Sequence, residues 1–414
     1  MLGMVDTCGL PSCDAVRLRA IRDVHLALGY YPARFHYSVA LRFLGWARSV
    51  GGVVLDPFVG SGVACTSARL VGLGCVGFDI NPFAILLSRV ASSRIKRDDI
   101  VVLERMLGEL EAYRGPVWRP RWSNAEYWHP PIVLEALGRL WEYVHEHTGE
   151  EGLPLDVLKV SLARASRLFS NADPDIPKLY KGRGTGKLER LISGRSPGEI
   201  YGLILGYVER RARRISEALE RYSSLQQQST EPRIDRLDVA REPLPEWLNS
   251  VDVVFTSPPY LAAHEYTRST KLELYWLGLT DEQVRELKRR EIPYGKTVRY
   301  SVESGTFELY AEKIREKSPK LLNLYNNYFW AVTRAIDKLV KLDPTIIGLF
   351  VGPATVASIR VPINDILAEH LSTRGYNVKC QYTSPIKARK LFRNRNNSNP
   401  NGIMDETLVV LRKT

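Results

Sequence analysis

The chain has 414 residues, a length that favours two structural units or one domain with a large insertion. Its 44% hydrophobic and 25% charged residues are ordinary for a globular protein, which argues against a disordered or fibrous chain. The formal net charge of +12 favours a polyanionic partner, because clustered Lys and Arg side chains release counterions from phosphates. No apolar run reaches the roughly 18 residues of a membrane span and no secretory signal is apparent, so we expect a cytoplasmic protein with no membrane partner.

The first hundred residues follow the order of a parallel α/β sheet. Helices are predicted over 16–48, and the short apolar runs 53–55 and 75–78 are typical of strands buried on both faces. A glycine-containing loop and a helix separate the two strands, and the strands end at the acids Asp56 and Asp79. This order is the first half of a doubly wound sheet.

The next 130 residues do not continue this alternation of strands and helices. Helical periodicity and few strand signals predict a large helical insertion over 100–230, with helices at 133–148, 155–169 and 198–225. The sheet pattern then resumes, and further strands are predicted at 234–238, 251–255, 345–351, 376–383 and 406–412.

The cysteines give little sign of covalent or metal cross-links. Five cysteines at irregular spacings predict reduced thiols in a reducing compartment and not a disulfide framework. Cys8 and Cys13 have no second pair that would complete a zinc site, so we expect no metal.

The segment from Asp56 to Gly62 carries two glycines between a buried strand and a helix. Glycine lets the backbone turn sharply and approach a ligand closely. Asp79, at the end of the next strand, could accept both hydroxyls of a ribose. The Gly-Lys-Ser/Thr sequence of a P-loop is absent, as is the third Gly or Ala of a nicotinamide-binding loop. These features predict a nucleoside cofactor pocket.

The sequence Asp56-Pro57-Phe58-Val59-Gly60-Ser61-Gly62 resembles the cofactor loop of amino-group DNA methyltransferases. The resemblance implies a class I, Rossmann-like methyltransferase with S-adenosylmethionine as its cofactor. In that family Asp56 would orient the methionine ammonium, Asp79 would hold the ribose, and Asp238 would meet the adenine amino group. The implied cofactor-binding residues are Phe35, Asp56, Pro57, Phe58, Gly60, Ser61, Gly62, Asp79 and Asp238. Phe35, in a segment that resembles the motif preceding the loop, could equally be a core aromatic.

A second motif, Thr256-Ser257-Pro258-Pro259-Tyr260, follows a buried strand. Consecutive prolines fix φ near about −65° and remove two backbone donors, so the neighbouring carbonyls can act as acceptors in a pocket. Ser257 Oγ and the Pro258 carbonyl would accept the two N–H bonds of an exocyclic amino group, whose lone pair would then face the methyl sulfonium. Tyr260 offers a face for stacking an extruded base. The predicted catalytic residues are Ser257, Pro258, Pro259 and Tyr260.

The tetrad Ser-Pro-Pro-Tyr looks like that of the cytosine-N4 class, so site-specific methylation of cytosine N4 in DNA is the predicted function. Alternatives are cytidine or another base in ribosomal RNA, adenine N6 in DNA, and a non-catalytic nucleic-acid-binding module. Cytosine-C5 chemistry is disfavoured, because it needs a cysteine nucleophile and none lies near Pro258. The resemblance also allows a cognate restriction endonuclease and a monomeric or dimeric enzyme.

These motifs divide the chain into three parts. They are 1–99, the N-terminal helices and cofactor-binding half; 100–230, the helical insertion that would serve target recognition; and 231–414, the catalytic half. Tyr266 and Arg268 are candidates for contacts around the flipped nucleotide. Other residues predicted to bind nucleic acid lie in two basic, loop-like clusters: Lys178, Lys181, Arg183 and Lys187, and Lys387, Arg389, Lys390 and Arg393. The run Arg210, Arg211, Arg213 and Arg214 is expected to be a solvated helix face.

Overall fold

The computed structural model describes residues 6–414 except 33–35, 148, 150, 151, 174, 175, 177, 183–185, 228, 229, 262–264 and 386–404. Nine strands form two sheets within these described ranges. The strands are β1 (Val53–Asp56), β2 (Gly74–Asp79), β3 (Arg233–Arg236), β4 (Val253–Thr256), β5 (Ile346–Val351), β6 (Ala354–Val356), β7 (Ile359–Val361), β8 (Tyr376–Pro385) and β9 (Asp405–Lys413). The predicted strands are confirmed to within a few residues.

The central sheet has seven strands in the order β3-β2-β1-β4-β5-β9-β8. The first five of these are mutually parallel, whereas β9 runs antiparallel to both β5 and β8. The β6–β7 hairpin stands apart. This mostly parallel α/β sheet is consistent with a class I methyltransferase fold. Because β1, β2 and β4 are parallel neighbours, the loops that follow them meet at one edge of the sheet.

Helices cover both faces of the sheet. They are α1 (Ala15–Leu28), α2 (Tyr37–Ala47), α3 (Val63–Leu70), α4 (Pro82–Ser92), α5 (Arg97–Ala112), α6 (Ala125–Trp128), α7 (Pro131–Glu146), α8 (Leu153–Leu168), α9 (Gly186–Ile192), α10 (Pro197–Ser223), α11 (Tyr266–Ser269), α12 (Lys271–Trp276), α13 (Asp281–Arg290), α14 (Gly305–Lys317), α15 (Pro319–Val340) and α16 (Ile363–Ser372). The helices predicted within 100–230 are confirmed as α7, α8 and α10.

The sheet separates two hydrophobic cores. Successive strand side chains point to opposite faces, so Val54 packs into one core and Leu55 into the other. On β4 the same alternation sends Val253 and Val254 to opposite cores. Helices α7, α8 and α10 share one core with α1–α4. Among the described residues, no helix combines the length and the apolar character that a membrane span requires.

The expectation of reduced cysteines is wrong in this structure. Disulfides join Cys8 to Cys380 and Cys65 to Cys75, and Cys13 is free. The first pair forms because the N-terminal segment runs beside β8, where the Thr7 N–H donates to the Gln381 carbonyl at 3.0 Å. The second pair links α3 to β2, which pack against each other. Spacing along the chain does not reveal such spatial proximity.

Candidate active site

A cleft with about 850 Å³ of empty space, part of it open to solvent, lies at the carboxyl ends of β1, β2 and β4. This size falls within the range of about 300–1,000 Å³ that is typical of ligand pockets. The predicted site residues in its wall are Pro57, Phe58, Gly60, Ser61, Asp79, Asp238, Ser257 and Pro259. The structure therefore brings the glycine loop and the tetrad to one cleft, which we call the first cleft.

The glycines of the loop are required by its backbone. Gly60 and Gly62 have φ values of 54° and 87°, in the left-handed region that side chains rarely adopt. A Cβ on Gly62 would stand 2.8 Å from Cα of Ser88 on α4. The loop can therefore turn from β1 into α3 and pack against α4 only with glycine at this position.

Asp56 ends β1 and is completely buried. Its Oδ1 accepts hydrogen bonds from the Phe58 N–H at 3.1 Å and from the Thr256 hydroxyl at 2.6 Å. Its Oδ2 has no hydrogen-bond donor among the described residues. Burial raises the pKa of Asp56 to about 7. A buried carboxylate oxygen without a donor suits a cationic ligand group beside the loop.

Asp79 ends β2 and lines the first cleft. Its two oxygens accept hydrogen bonds from the backbone N–H groups of Gly60 at 3.0 Å and Asn81 at 2.9 Å. Burial raises the pKa of Asp79 to about 6. The first of these bonds also fixes the glycine loop relative to β2, so the carboxylate and the loop form one rigid wall.

Asp238 also lines the first cleft, but its carboxylate is already occupied. Oδ2 lies 2.9 Å from Arg241 Nη1 and 3.2 Å from Arg290 Nε, and Oδ1 accepts the Arg241 N–H at 3.2 Å. Arg290 reaches the same wall from α13. The role of Asp238 as an acceptor for the adenine amino group stays a prediction.

The tetrad residues occupy different environments. Ser257 and Pro259 line the first cleft, whereas Pro258 is buried. The Tyr260 ring is not part of the wall: it is 8% exposed, and its hydroxyl donates to Glu406 on β9. Burial raises the pKa of Glu406 to about 7. Stacking of Tyr260 on a base would require the ring to leave this position.

Several residues in the wall of the first cleft were not predicted from the sequence. Tyr31 faces Tyr266 across it, with ring centroids 6.4 Å apart. Glu291 accepts hydrogen bonds from the backbone N–H groups of Tyr266 at 2.5 Å and Thr267 at 3.2 Å. Burial raises the pKa of Glu291. The wall therefore gains aromatic residues and an acid that no local motif marks, although Tyr266 was already a candidate for a nucleotide contact.

The basic loop at 178–181 lies beside the segment that follows the tetrad. Lys178 Nζ and Arg268 Nη1 lie 3.1 and 3.3 Å from Glu265 Oε2. The Arg268 guanidinium stacks on the Tyr180 ring, 4.2 Å from its centroid. Lys181 similarly lies 4.3 Å from the Tyr127 ring centroid. These predicted nucleic-acid contacts thus form one cluster of cations and aromatics.

Other predicted residues fall outside the described part of the chain, so their roles stay predictions. They are Phe35, Arg183, Lys387, Arg389, Lys390, Arg393 and the side chain of Lys187. Within the described residues, no group of three or more His, Cys, Asp or Glu side chains is arranged to hold a metal ion.

The expectation of a solvated basic face on α10 is wrong for one residue. Arg210, Arg213 and Arg214 are exposed, but Arg211 is partly buried and lines a second cavity. The helix carries Arg211 on the side that faces α8, because the apolar stripe of α10 packs there.

Two known proteins are similar to parts of this chain. The Type II methyltransferase M.BsoBI of Geobacillus stearothermophilus is 24% identical over 265 residues, which cover 59% of this chain and 50% of M.BsoBI. The Type II methyltransferase M.MjaII of Methanocaldococcus jannaschii is 31% identical over 77 residues, which cover 19% of this chain and 14% of M.MjaII. The alignments thus span half or less of these relatives. No protein-family model matches the chain. The similarity supports a relationship to methyltransferases.

Proposed function

We propose that this protein transfers a methyl group from S-adenosylmethionine to the exocyclic N4 of cytosine at a specific DNA site. The observation that carries the proposal is the 2.6 Å hydrogen bond from Thr256 to Asp56, which joins the cofactor loop to the tetrad at one cleft. The similarity to two Type II methyltransferases supports the reaction class and DNA as the substrate.

The two carboxylates beside the glycine loop suit the polar groups of the cofactor. The unpartnered Asp56 Oδ2 would bind the methionine ammonium, and Asp79 would accept the ribose hydroxyls. Phe58 and Val59 give the same wall an apolar surface for the nucleoside. When bound, the cofactor would supply an electrophilic methyl group, and the residues of this wall would hold it in the first cleft, which Ser257 also lines.

The tetrad would then prepare the amino group of the target base. Ser257 Oγ and the Pro258 carbonyl accept its two N–H bonds and draw the nitrogen towards tetrahedral geometry. With the cofactor bound, these two acceptors would hold the amino group so that its lone pair faces the methyl group that the cofactor supplies, and one amino proton would pass to solvent. The chemistry is direct transfer to an extruded base, in which Tyr260, once its ring has left Glu406, or the wall aromatics Tyr31 and Tyr266 offer stacking faces.

Ser257 favours cytosine over adenine, because the resemblance associates Ser-Pro-Pro-Tyr with the cytosine-N4 class. The Lys178, Lys181 and Arg268 cluster would lie beside the target strand, since it flanks the segment after the tetrad. A target-recognition role for the helices within 100–230 and a cognate restriction endonuclease remain predictions.

The test is transfer of labelled methyl from S-adenosylmethionine to duplex DNA, single-stranded DNA and ribosomal RNA, followed by nucleoside analysis. We expect N4-methyldeoxycytidine from DNA. N6-methyldeoxyadenosine as the labelled nucleoside would contradict the cytosine assignment, and label confined to RNA would contradict the DNA substrate.

A variant at Ser257 tests the chemistry of the tetrad. Ser257→Ala should reduce the rate of methyl transfer by about 100-fold, because one of two acceptors that activate the amino group is lost. Cofactor affinity, measured by calorimetry, should be unchanged. Ser301→Ala, which removes the hydroxyl of an exposed serine, is the matched control. Equal turnover in the two variants would refute the role of Ser257.

A further inference from the structure

A second cavity with about 1,120 Å³ of empty space lies next to the first cleft. Its walls come from α8, α9, α10, the start of α12 and the segment after α1. Pro32 lines both cavities. The two are also joined where the side-chain amide of Asn81, in the first wall, donates to the Thr270 hydroxyl, in the second, at 3.0 Å. The second cavity is therefore a direct neighbour of the first cleft.

Among the described residues, three arginines line this second cavity, and two of them have acceptors within the protein. Arg164 donates to the carbonyls of Leu28 at 2.8 Å and Tyr30 at 2.7 Å, and it pairs with Glu273 at 3.2 Å. Arg167 donates to the Ser269 carbonyl at 2.8 Å and lies 3.6 Å from Glu273. The one buried acid of the wall is thus shared between these two cations.

Arg211 is the third of these arginines, and the described part of the chain provides no such acceptor for it. Its Nε is buried and lacks a hydrogen-bond partner, and among the described residues no carboxylate pairs with its guanidinium. Its nearest aromatic contact is the Tyr207 ring, 5.8 Å from the guanidinium carbon. Burial lowers the pKa of Arg211. A partly buried guanidinium without an anion is costly, and an oxyanion that accepts two of its N–H bonds would offset that cost.

We propose that Arg211 binds a phosphate group of the DNA strand that carries the target base. This proposal rests on the proposed function, because it assumes that DNA enters the first cleft. A guanidinium matches the oxygen geometry of a phosphodiester, and the second cavity adjoins the first cleft, which would receive the extruded base. Asp173 lines the same cavity, so one acid faces the site beside Glu273.

The helix offers a matched pair of variants. Arg211→Gln and Arg210→Gln each remove one positive charge from α10, but Arg210 is exposed and lies outside the cavity. Binding of each full-length variant to a fluorescein-labelled duplex of the methylated sequence is measured by anisotropy from low to moderate salt. Each phosphate contact contributes about 0.9 to the slope of log K against log salt concentration. Arg211→Gln should reduce that slope by about this amount and weaken binding at low salt by about tenfold, whereas Arg210→Gln should leave both near wild type.

Arg211→Lys keeps the charge and removes the two-pronged donor. It should retain the wild-type slope but bind the duplex a few-fold more weakly at every salt concentration. Cofactor affinity, which does not depend on the contact, should match wild type in all three variants, and a cooperative thermal unfolding transition should show that each variant is folded. If Arg211→Gln does not fold but Arg211→Lys does, the test rests on Arg211→Lys. Its binding to the duplex should then be weaker than that of wild type, with the same slope of log K against log salt concentration.

The outcomes separate this inference from the proposed function. If wild type methylates DNA but Arg211→Gln and Arg210→Gln share the same salt slope, the phosphate site is refuted and the enzyme assignment stands. A reduced slope with ribosomal RNA and not with DNA would overturn the DNA strand as the ligand. If wild type transfers no methyl group to any nucleic acid, the proposed function fails independently of Arg211.

Discussion

The hydroxyl of Thr256 donates a 2.6 Å hydrogen bond to Oδ1 of Asp56, a residue 200 positions earlier in the chain. The two residues end the adjacent parallel strands β4 and β1. Each strand continues directly into a predicted motif, the tetrad in one case and the cofactor loop in the other. Any shift of one loop relative to the other would therefore disturb the carboxylate between them.

Thr256→Val should weaken cofactor binding. The hydrogen bond from Thr256 lowers the pKa of Asp56, so its loss would raise that pKa further above about 7 and favour the neutral carboxyl at neutral pH. A hydrogen bond to a charged group contributes about 1.5–3 kcal/mol, so the dissociation constant for S-adenosylhomocysteine should rise by about 10- to 100-fold. Calorimetry at neutral pH measures this change.

Thr256→Ser provides the control, because it keeps the hydroxyl and removes only a methyl group. Its cofactor affinity should lie near wild type. If Val and Ser at position 256 weaken binding equally, packing of the Thr methyl and not the hydrogen bond to Asp56 would be responsible.

Cofactor affinity should also depend on pH through Asp56. Burial raises its pKa to about 7, so the free protein carries a neutral carboxyl below that pH and must release a proton to bind an ammonium group. The affinity for S-adenosylhomocysteine should therefore rise about tenfold between about pH 6 and pH 7.5. Asp56→Asn should bind more weakly and lose this titration, while the titration of Asp79 near pH 6 persists. An unchanged pH profile in Asp56→Asn would show that Asp56 does not face the cofactor.

The glycine loop and the tetrad could be predicted from the sequence because each follows the end of a strand. An apolar run that stops at an acid followed by glycines predicts a strand and a turn from about ten residues of sequence. Because the strands are parallel, the turns that follow them lie at the same edge of the sheet. Gly60, Asp79 and Ser257 therefore line one cleft, and the buried Asp56 bonds to Thr256 beside the tetrad, whereas the functional roles of these residues stay predictions.

Residues that are brought to their positions only by tertiary packing could not be predicted from the sequence. Glu291 enters from the end of α13, and its carboxylate accepts the backbone N–H groups of Tyr266 and Thr267, which carry no side-chain pattern. Arg211 looked like its neighbours in a charge run, since only the packing of α10 on α8 turns it inward. The pairing of Cys8 with Cys380 joins the two ends of the chain and has no local signal.

Tyr260 combines two roles that variants can separate. Tyr260→Phe keeps the ring and leaves buried Glu406 without its donor, so the free energy of unfolding should fall by about 1–3 kcal/mol. Methyl transfer by the folded variant should stay within a few-fold of wild type, because base stacking uses the ring face. Tyr260→Ala should in addition lose about 10- to 100-fold in activity, since stacking on one base contributes about 1–3 kcal/mol.

Urea denaturation and single-turnover methylation measure these two effects. Glu406→Gln, which still offers an acceptor to the Tyr260 hydroxyl, is the control and should be more stable than Tyr260→Phe. Equal activity of the Phe and Ala variants would remove Tyr260 from the set of residues that contact the base.

The Cys8–Cys380 disulfide should contribute measurably to stability. It closes a sequence separation of 372 residues, and cross-links that close long loops restrict the unfolded chain most. Cys8→Ser should therefore lower the free energy of unfolding by about 2–5 kcal/mol under non-reducing conditions. Cys13→Ser, which alters the free cysteine of the same segment, should leave stability near wild type. Under a thiol reductant that also opens Cys65–Cys75, wild type and Cys8→Ser should unfold at the same urea concentration. If wild type unfolds identically with and without reductant, the cross-links do not hold the folded state together, and the packing of the N-terminal segment on β8 carries that role alone.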